Sequence, residues 1–158
     1  MPWTSNTLET LVSQALAAVT QILQVQPNAI VLVCTKQEMT QKVIAELATY
    51  QLSQARLEWY KQSVIPFIIG KYFLQNNEIW LVDGKGDKWE VLIHELLHSV
   101  QKCRPNRERI TDYLTFKLTQ DPTTIDPRIL TEWNQLEQDY GLKAIIARFL
   151  RQGDCEEF

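Results

Sequence analysis

The chain has 158 residues, 45% of them hydrophobic and 22% charged, with a formal net charge of −3. This length and composition indicate one globular domain, residues 1–158, with a core of its own. The mild negative charge and the lack of a basic face argue against a nucleic-acid partner. The sequence shows no secretory signal and no run of about 18 apolar residues, so we expect no membrane span.

Three cysteines lie far apart, at Cys34, Cys103 and Cys155, and form no paired motif. An odd number without a pairing pattern favours reduced thiols over a disulfide framework. The sequence therefore predicts a cytoplasmic protein. It does not predict an oligomeric state.

The first half of the chain alternates helical and strand patterns. Apolar residues recur every three or four positions over residues 8–23, which predicts an amphipathic helix. The apolar run at residues 29–34 predicts a strand buried on both faces. Thr35 and Glu38 form a capping box, which predicts a helix that continues towards Tyr60, with a possible break.

A β-hairpin and a series of helices are predicted next. Residues 66–74 and Glu78–Val82 are rich in aromatic and β-branched residues and are separated by a short polar turn. The helices that follow start at predicted caps, Asp87 and Asn106, and at Asp126 followed by a proline. The expected fold class is α+β, with a small mixed sheet in the first half and a helical C-terminal part.

The segment with clear chemical meaning is His94-Glu95-Leu96-Leu97-His98, on one of these predicted helices. Residues four apart share one helix face, so both imidazoles can reach the same metal ion. Glu95 projects beside the pair, where a carboxylate can act as a general base. The alternative is a core helix that carries two ordinary surface histidines.

Residues 91–100 resemble the active-site helix of the zincin metallopeptidases. The resemblance implies that His94 and His98 bind Zn²⁺ and that Glu95 is the catalytic general base. It also implies that Glu78, Ile79, Trp80, Leu81 and Val82 form the edge strand that binds substrate. The resemblance covers about residues 77–118, and the first half of the chain lies outside it.

A catalytic zinc site usually has three protein ligands. Gln101 and Arg104 stand where the metzincin subgroup has a glycine and a third histidine, so that subgroup is excluded. Glu108 and Asp112 resemble the Glu-x-x-x-Asp pattern of gluzincins, which implies that Glu108 is a ligand and that Asp112 orients an imidazole. The interval from His98 is short for gluzincins, and Asp112 remains the alternative third ligand. Small gluzincin-like proteases and ImmA/IrrE-type regulatory peptidases have similarly compact layouts.

The leading hypothesis is therefore a narrow-specificity zinc metalloendopeptidase that hydrolyses a peptide or protein substrate by metal-activated water. A second hypothesis is a zinc-binding regulatory or interaction module that has the zincin fold but no turnover. A plain helical interaction domain without stoichiometric metal is the third. The sequence does not identify a substrate.

Overall fold

The computed structural model describes residues 5–85 and 88–158, and within them the fold is α+β, as the sequence predicts. Seven α-helices and one three-stranded sheet are described. In chain order the elements are α1 (Ser5–Leu23), β1 (Ile30–Cys34), α2 (Lys36–Ala48), α3 (Gln54–Ser63), β2 (Gly70–Phe73), β3 (Glu78–Val82), α4 (Lys88–Val100), α5 (Arg107–Thr119), α6 (Pro127–Tyr140) and α7 (Leu142–Phe149). Short 3-10 helices lie at Ile65–Phe67 and Pro122–Thr124.

The sheet is mixed and has the strand order β1-β3-β2. β1 pairs in parallel with β3, and β2 pairs with β3 as the predicted hairpin. Because β3 has a partner on each side, the prediction that Glu78, Ile79, Trp80, Leu81 and Val82 form an edge strand is wrong. The prediction of a doubly buried first strand is also wrong, because β1 is an edge strand in which Ile30 is 61% exposed.

Helix α4 lies at the centre of the main core. It contacts α1, α5, β2 and β3. Its apolar residues Leu92, Ile93, Leu96 and Leu97 are fully buried against these elements. A buried face of this size fixes the rotation of α4 about its axis, since burying each such side chain contributes roughly 1.5–3 kcal/mol. The remaining face of α4 carries the two histidines.

The helix starts show which local predictions are correct. Thr35 and Glu38 form the predicted capping box, and the Asp126 side chain accepts a hydrogen bond from the Arg128 amide. Asn106 does precede α5, but it has a left-handed conformation with φ of 60° and makes no side-chain cap. The other predicted cap, Asp87, lies outside the described residues. The helix predicted towards Tyr60 is divided into α2 and α3.

The C-terminal segment returns to the loop that follows α4. Cys103 and Cys155, 52 residues apart, form a disulfide there, with a Cα–Cα distance of 4.9 Å. The prediction of reduced thiols is therefore wrong for this pair, because the chain path brings together cysteines that no local pattern connects. Cys34 is a free, buried thiol. In the described part of the chain, no helix combines the length and apolar character needed to cross a membrane.

Candidate metal centre

The two histidines of α4 face the same point in space. Because they are one turn apart, their rings lie edge to face with centroids 4.6 Å apart. The two Nε2 atoms are 3.0 Å apart. Both rings are mostly shielded, with His94 22% and His98 9% exposed. Helix α4 therefore presents two adjacent imidazole nitrogens, as the i, i+4 spacing predicts.

Helix α5 adds a carboxylate to this pair. Glu108 Oε2 lies 3.2 Å from Nε2 of His94 and 3.2 Å from Nε2 of His98. The other oxygen, Oε1, is 3.1 Å from Nε2 of His98. Glu108 is in the first turn of α5, so the short loop after α4 brings it directly over the histidines.

The donor set fits a zinc ion. Two imidazole nitrogens and one carboxylate oxygen are a common catalytic zinc set, which leaves one coordination position open. Ligand atoms at about 2.0–2.1 Å from a tetrahedral ion are about 3.3 Å from each other. The separations of 3.0–3.2 Å among the three donor atoms here are close to that value. His94, His98 and Glu108 therefore form a group with the chemistry and spacing to hold Zn²⁺.

The second nitrogen of each imidazole also has a partner. Nδ1 of His94 lies 3.4 Å from Oδ1 of Asp112, one turn after Glu108 on α5. Nδ1 of His98 lies 2.8 Å from Oε1 of Gln101. Asp112 thus stands behind an imidazole, as the Glu-x-x-x-Asp resemblance implies, whereas Glu108 reaches both Nε2 atoms. Sequence reasoning assigned Gln101 no role beyond excluding the metzincins.

Glu95 lies beside the group and is not part of it. Its side chain is 9% exposed, and Oε2 accepts a 2.8 Å hydrogen bond from the main-chain N–H of Tyr72 in β2. The carboxylate is therefore held at the edge of the sheet while its helical neighbours His94 and His98 face Glu108. This position suits proton transfer better than metal ligation.

A cleft of about 200 Å³ opens over these groups. It is bordered by β2, α4 and the start of α5, with lining residues Ile68, Gly70, Lys71, Tyr72, His94, Glu95, His98, Arg107 and Glu108. The strand at this cleft is β2, and none of the residues Glu78–Val82, for which the sequence predicts substrate binding, lines it. Gly70 permits the close approach, because a Cβ there would overlap Cγ1 of Val91 on α4.

The acidic groups and the histidines of this cluster shift one another's pKa values. Partial desolvation alone would raise the pKa of the Glu108 carboxyl, but hydrogen bonds from His94 and His98 hold that pKa well below its usual range. Desolvation lowers the pKa of His94, yet Glu108, Glu95 and Asp112 together raise it above the ordinary histidine value. Desolvation raises the pKa of Asp112. An ionised Glu108 thus stabilises positive charge at this point, whether from a proton or from a metal ion.

Comparison of the chain with protein-family models, with curated proteins and with solved structures gave no match.

Proposed function

We propose that the protein is a zinc-dependent peptidase whose metal ligands are His94, His98 and Glu108. The observation that carries this proposal is the convergence of three donor atoms within 3.2 Å of each other at the floor of an open cleft. Two helices and a disulfide-linked loop hold this arrangement. Two ordinary surface histidines would not be expected to converge with a carboxylate in this way.

When bound, a zinc ion supplies Lewis acidity, which activates a water molecule and polarises the scissile carbonyl. Glu95 accepts the proton of the attacking water and then donates it to the leaving amine. The Tyr72 amide orients this carboxylate through its 2.8 Å hydrogen bond. Asp112 and Gln101 hold the two imidazoles with their Nε2 atoms towards the site.

The substrate in this proposal is an extended peptide along the outer edge of β2. The N–H of Tyr72 bonds to Glu95 and therefore points away from β3. Alternate residues of a strand direct their backbone groups to the same side, so those of Gly70 also point away from β3. A peptide that adds to this edge would pair with the backbone of Gly70, because the Tyr72 N–H is already bonded to Glu95, and would lie beside the metal ligands. This proposal transfers to β2 the role that the sequence gave to β3.

The test is hydrolysis of a mixed peptide library, with cleavage products identified by mass spectrometry after zinc is supplied. Wild-type protein should cleave a subset of peptides. Glu95→Gln should retain zinc and lose activity by about 10²–10⁴-fold, the usual contribution of a general base. Glu58→Gln on α3 is the matched control, because it makes the same change away from the cleft. Full activity in Glu95→Gln would refute the assignment.

A second candidate is a zinc-binding regulatory or interaction module without turnover. It is favoured by the Tyr72 hydroxyl, which donates a 2.9 Å hydrogen bond to Oδ1 of Asn77. A peptidase needs a donor in the cleft for the oxyanion, and this hydroxyl already has another acceptor. This candidate predicts stoichiometric zinc in the wild type but no cleavage of any peptide in the same library. The cytoplasmic location stays a prediction from the sequence, and the reduced thiols on which it was based are not found at Cys103 and Cys155.

A further inference from the structure

Gln101 is a buried polar residue at the end of α4, directly after Val100. It is 7% exposed, and both ends of its amide have partners. Nε2 donates to the main-chain carbonyl of Arg107 at 3.1 Å. Oε1 lies 2.8 Å from Nδ1 of His98 and 3.1 Å from the Thr111 hydroxyl, whose single proton has a shorter path to the Arg107 carbonyl at 2.7 Å. This residue therefore links the candidate metal centre to the start of α5.

The chemistry of these partners determines which end of the amide faces His98. A main-chain carbonyl can only accept hydrogen bonds, so the amide nitrogen must face Arg107. The reversed amide would place two acceptor oxygens about 3.1 Å apart in a buried position, without a proton between them. The oxygen of Gln101 consequently faces His98.

The disulfide supports the same orientation from a third direction. Nε2 of Gln101 lies 3.3 Å from Sγ of Cys103 and 3.6 Å from Sγ of Cys155. Disulfide sulfurs offer lone pairs but no proton, so they too face an amide nitrogen more favourably than an oxygen. The main-chain N–H of Arg104 also donates to the Gly153 carbonyl at 2.8 Å. The C-terminal segment thus contributes contacts that orient the Gln101 amide.

An acceptor oxygen 2.8 Å from Nδ1 of His98 favours the neutral imidazole that carries its proton on Nδ1. The lone pair is then on Nε2, which faces Glu108 and Nε2 of His94. We propose that Gln101 is a positioning residue that sets His98 in its Nδ1–H tautomer and so prepares Nε2 for the metal. The preference for Nδ1–H rests on the 2.8 Å contact to Gln101, which is shorter than the 3.1–3.2 Å contacts through which Glu108 competes for a proton on Nε2, and its use in metal binding rests on the proposed function.

The tautomer can be measured without metal and without activity. Two-dimensional NMR correlation of imidazole nitrogens and carbon-bound protons, on ¹⁵N-histidine-labelled, chelator-treated protein at about pH 9, distinguishes the two neutral tautomers. We expect the Nδ1–H form for His98 in the wild type. An Nε2–H form, or an even mixture, would overturn the proposal whether or not the protein binds zinc.

Variants then test the consequence for the metal. Gln101→Met keeps the length and burial of the side chain but removes the acceptor, and should lower zinc affinity by about 10–100-fold while His98 loses its tautomer preference. Gln101→Glu keeps an acceptor for Nδ1–H but places its second oxygen against the Arg107 carbonyl, so it should recover only part of that affinity. Gln135→Met, on the exposed face of α6, is the control.

The variant outcomes separate the two proposals. Wild-type affinity in a folded Gln101→Met variant would overturn the positioning role, whereas a wild type that binds no zinc would overturn the proposed function. If Gln101→Met does not fold, the wild-type tautomer still decides whether His98 is held in its Nδ1–H form.

Discussion

The main-chain N–H of Tyr72 donates a 2.8 Å hydrogen bond to Oε2 of Glu95, which joins the edge of the sheet to the helix that carries the histidines. The position of β2 against α4 therefore sets where this carboxylate lies. A general base must be placed to a fraction of an ångström, so the packing between β2 and α4 is part of the proposed site.

Gly70→Ala should test that packing, because the added Cβ would overlap Cγ1 of Val91. We expect a loss of about 1–3 kcal/mol in the free energy of unfolding, as for other overpacked sites, with a fall in cleavage rate. Adding Val91→Ala should recover part of both losses. Urea unfolding of the two single variants and the double variant measures the coupling. Strictly additive effects would show that the two residues do not meet.

The assignment of the two acids on α5 predicts different defects. Glu108→Ala removes a proposed metal ligand and should abolish stoichiometric zinc at micromolar concentrations. Asp112→Ala removes only a partner of Nδ1 of His94, and should weaken zinc binding by about 10–100-fold. Competitive titration against a chromophoric chelator measures both constants. A larger loss of zinc affinity in Asp112→Ala than in Glu108→Ala would indicate that Asp112, and not Glu108, is the metal ligand.

Zinc affinity should fall as the pH falls, because a ligating imidazole must be neutral. The raised pKa of His94 means that the metal-free protein retains this proton at pH values where an ordinary histidine, with pKa about 6.5, has lost most of it. The decline in zinc affinity should therefore begin at a pH above about 6.5, and zinc binding should release a proton. Calorimetry in buffers of different ionisation enthalpy measures the released protons. A pH-independent affinity between about pH 5 and 8 would contradict the site.

The Cys103–Cys155 disulfide should stabilise the fold. It closes a loop with a sequence separation of 52 residues, for which the chain-entropy model gives about 4 kcal/mol. Replacing both cysteines with serine should lower the urea midpoint accordingly, and a reducing agent should lower that of the wild type but not that of the variant. An unchanged midpoint in both cases would show that the bridge does not contribute.

The sequence predicts the parts of this structure that depend on local spacing. The separation of His94 and His98 by four residues, the Thr35–Glu38 capping box and the hairpin each involve groups within a few residues of one another. Glu108 could be assigned only with Asp112 as an alternative, since the reach of each acid depends on how α5 crosses α4. The structure favours Glu108, because its Oε2 lies 3.2 Å from both Nε2 atoms.

The features that the sequence missed depend on contacts between distant segments. β3 is central because β1, more than forty residues earlier, pairs with its free side. Cys155 meets Cys103 because the chain returns after α7. Gln101 gains its importance from this meeting, since two of its amide contacts are to these sulfurs.

The central claim is that this chain binds one zinc ion through His94, His98 and Glu108. The most direct test is calorimetric titration of zinc into chelator-treated wild type beside the His94→Ala/His98→Ala double variant. The proposed site predicts one ion per wild-type chain and none at this site in a double variant that remains folded. No stoichiometric zinc in a folded wild type, or equal binding by both proteins, would contradict the claim.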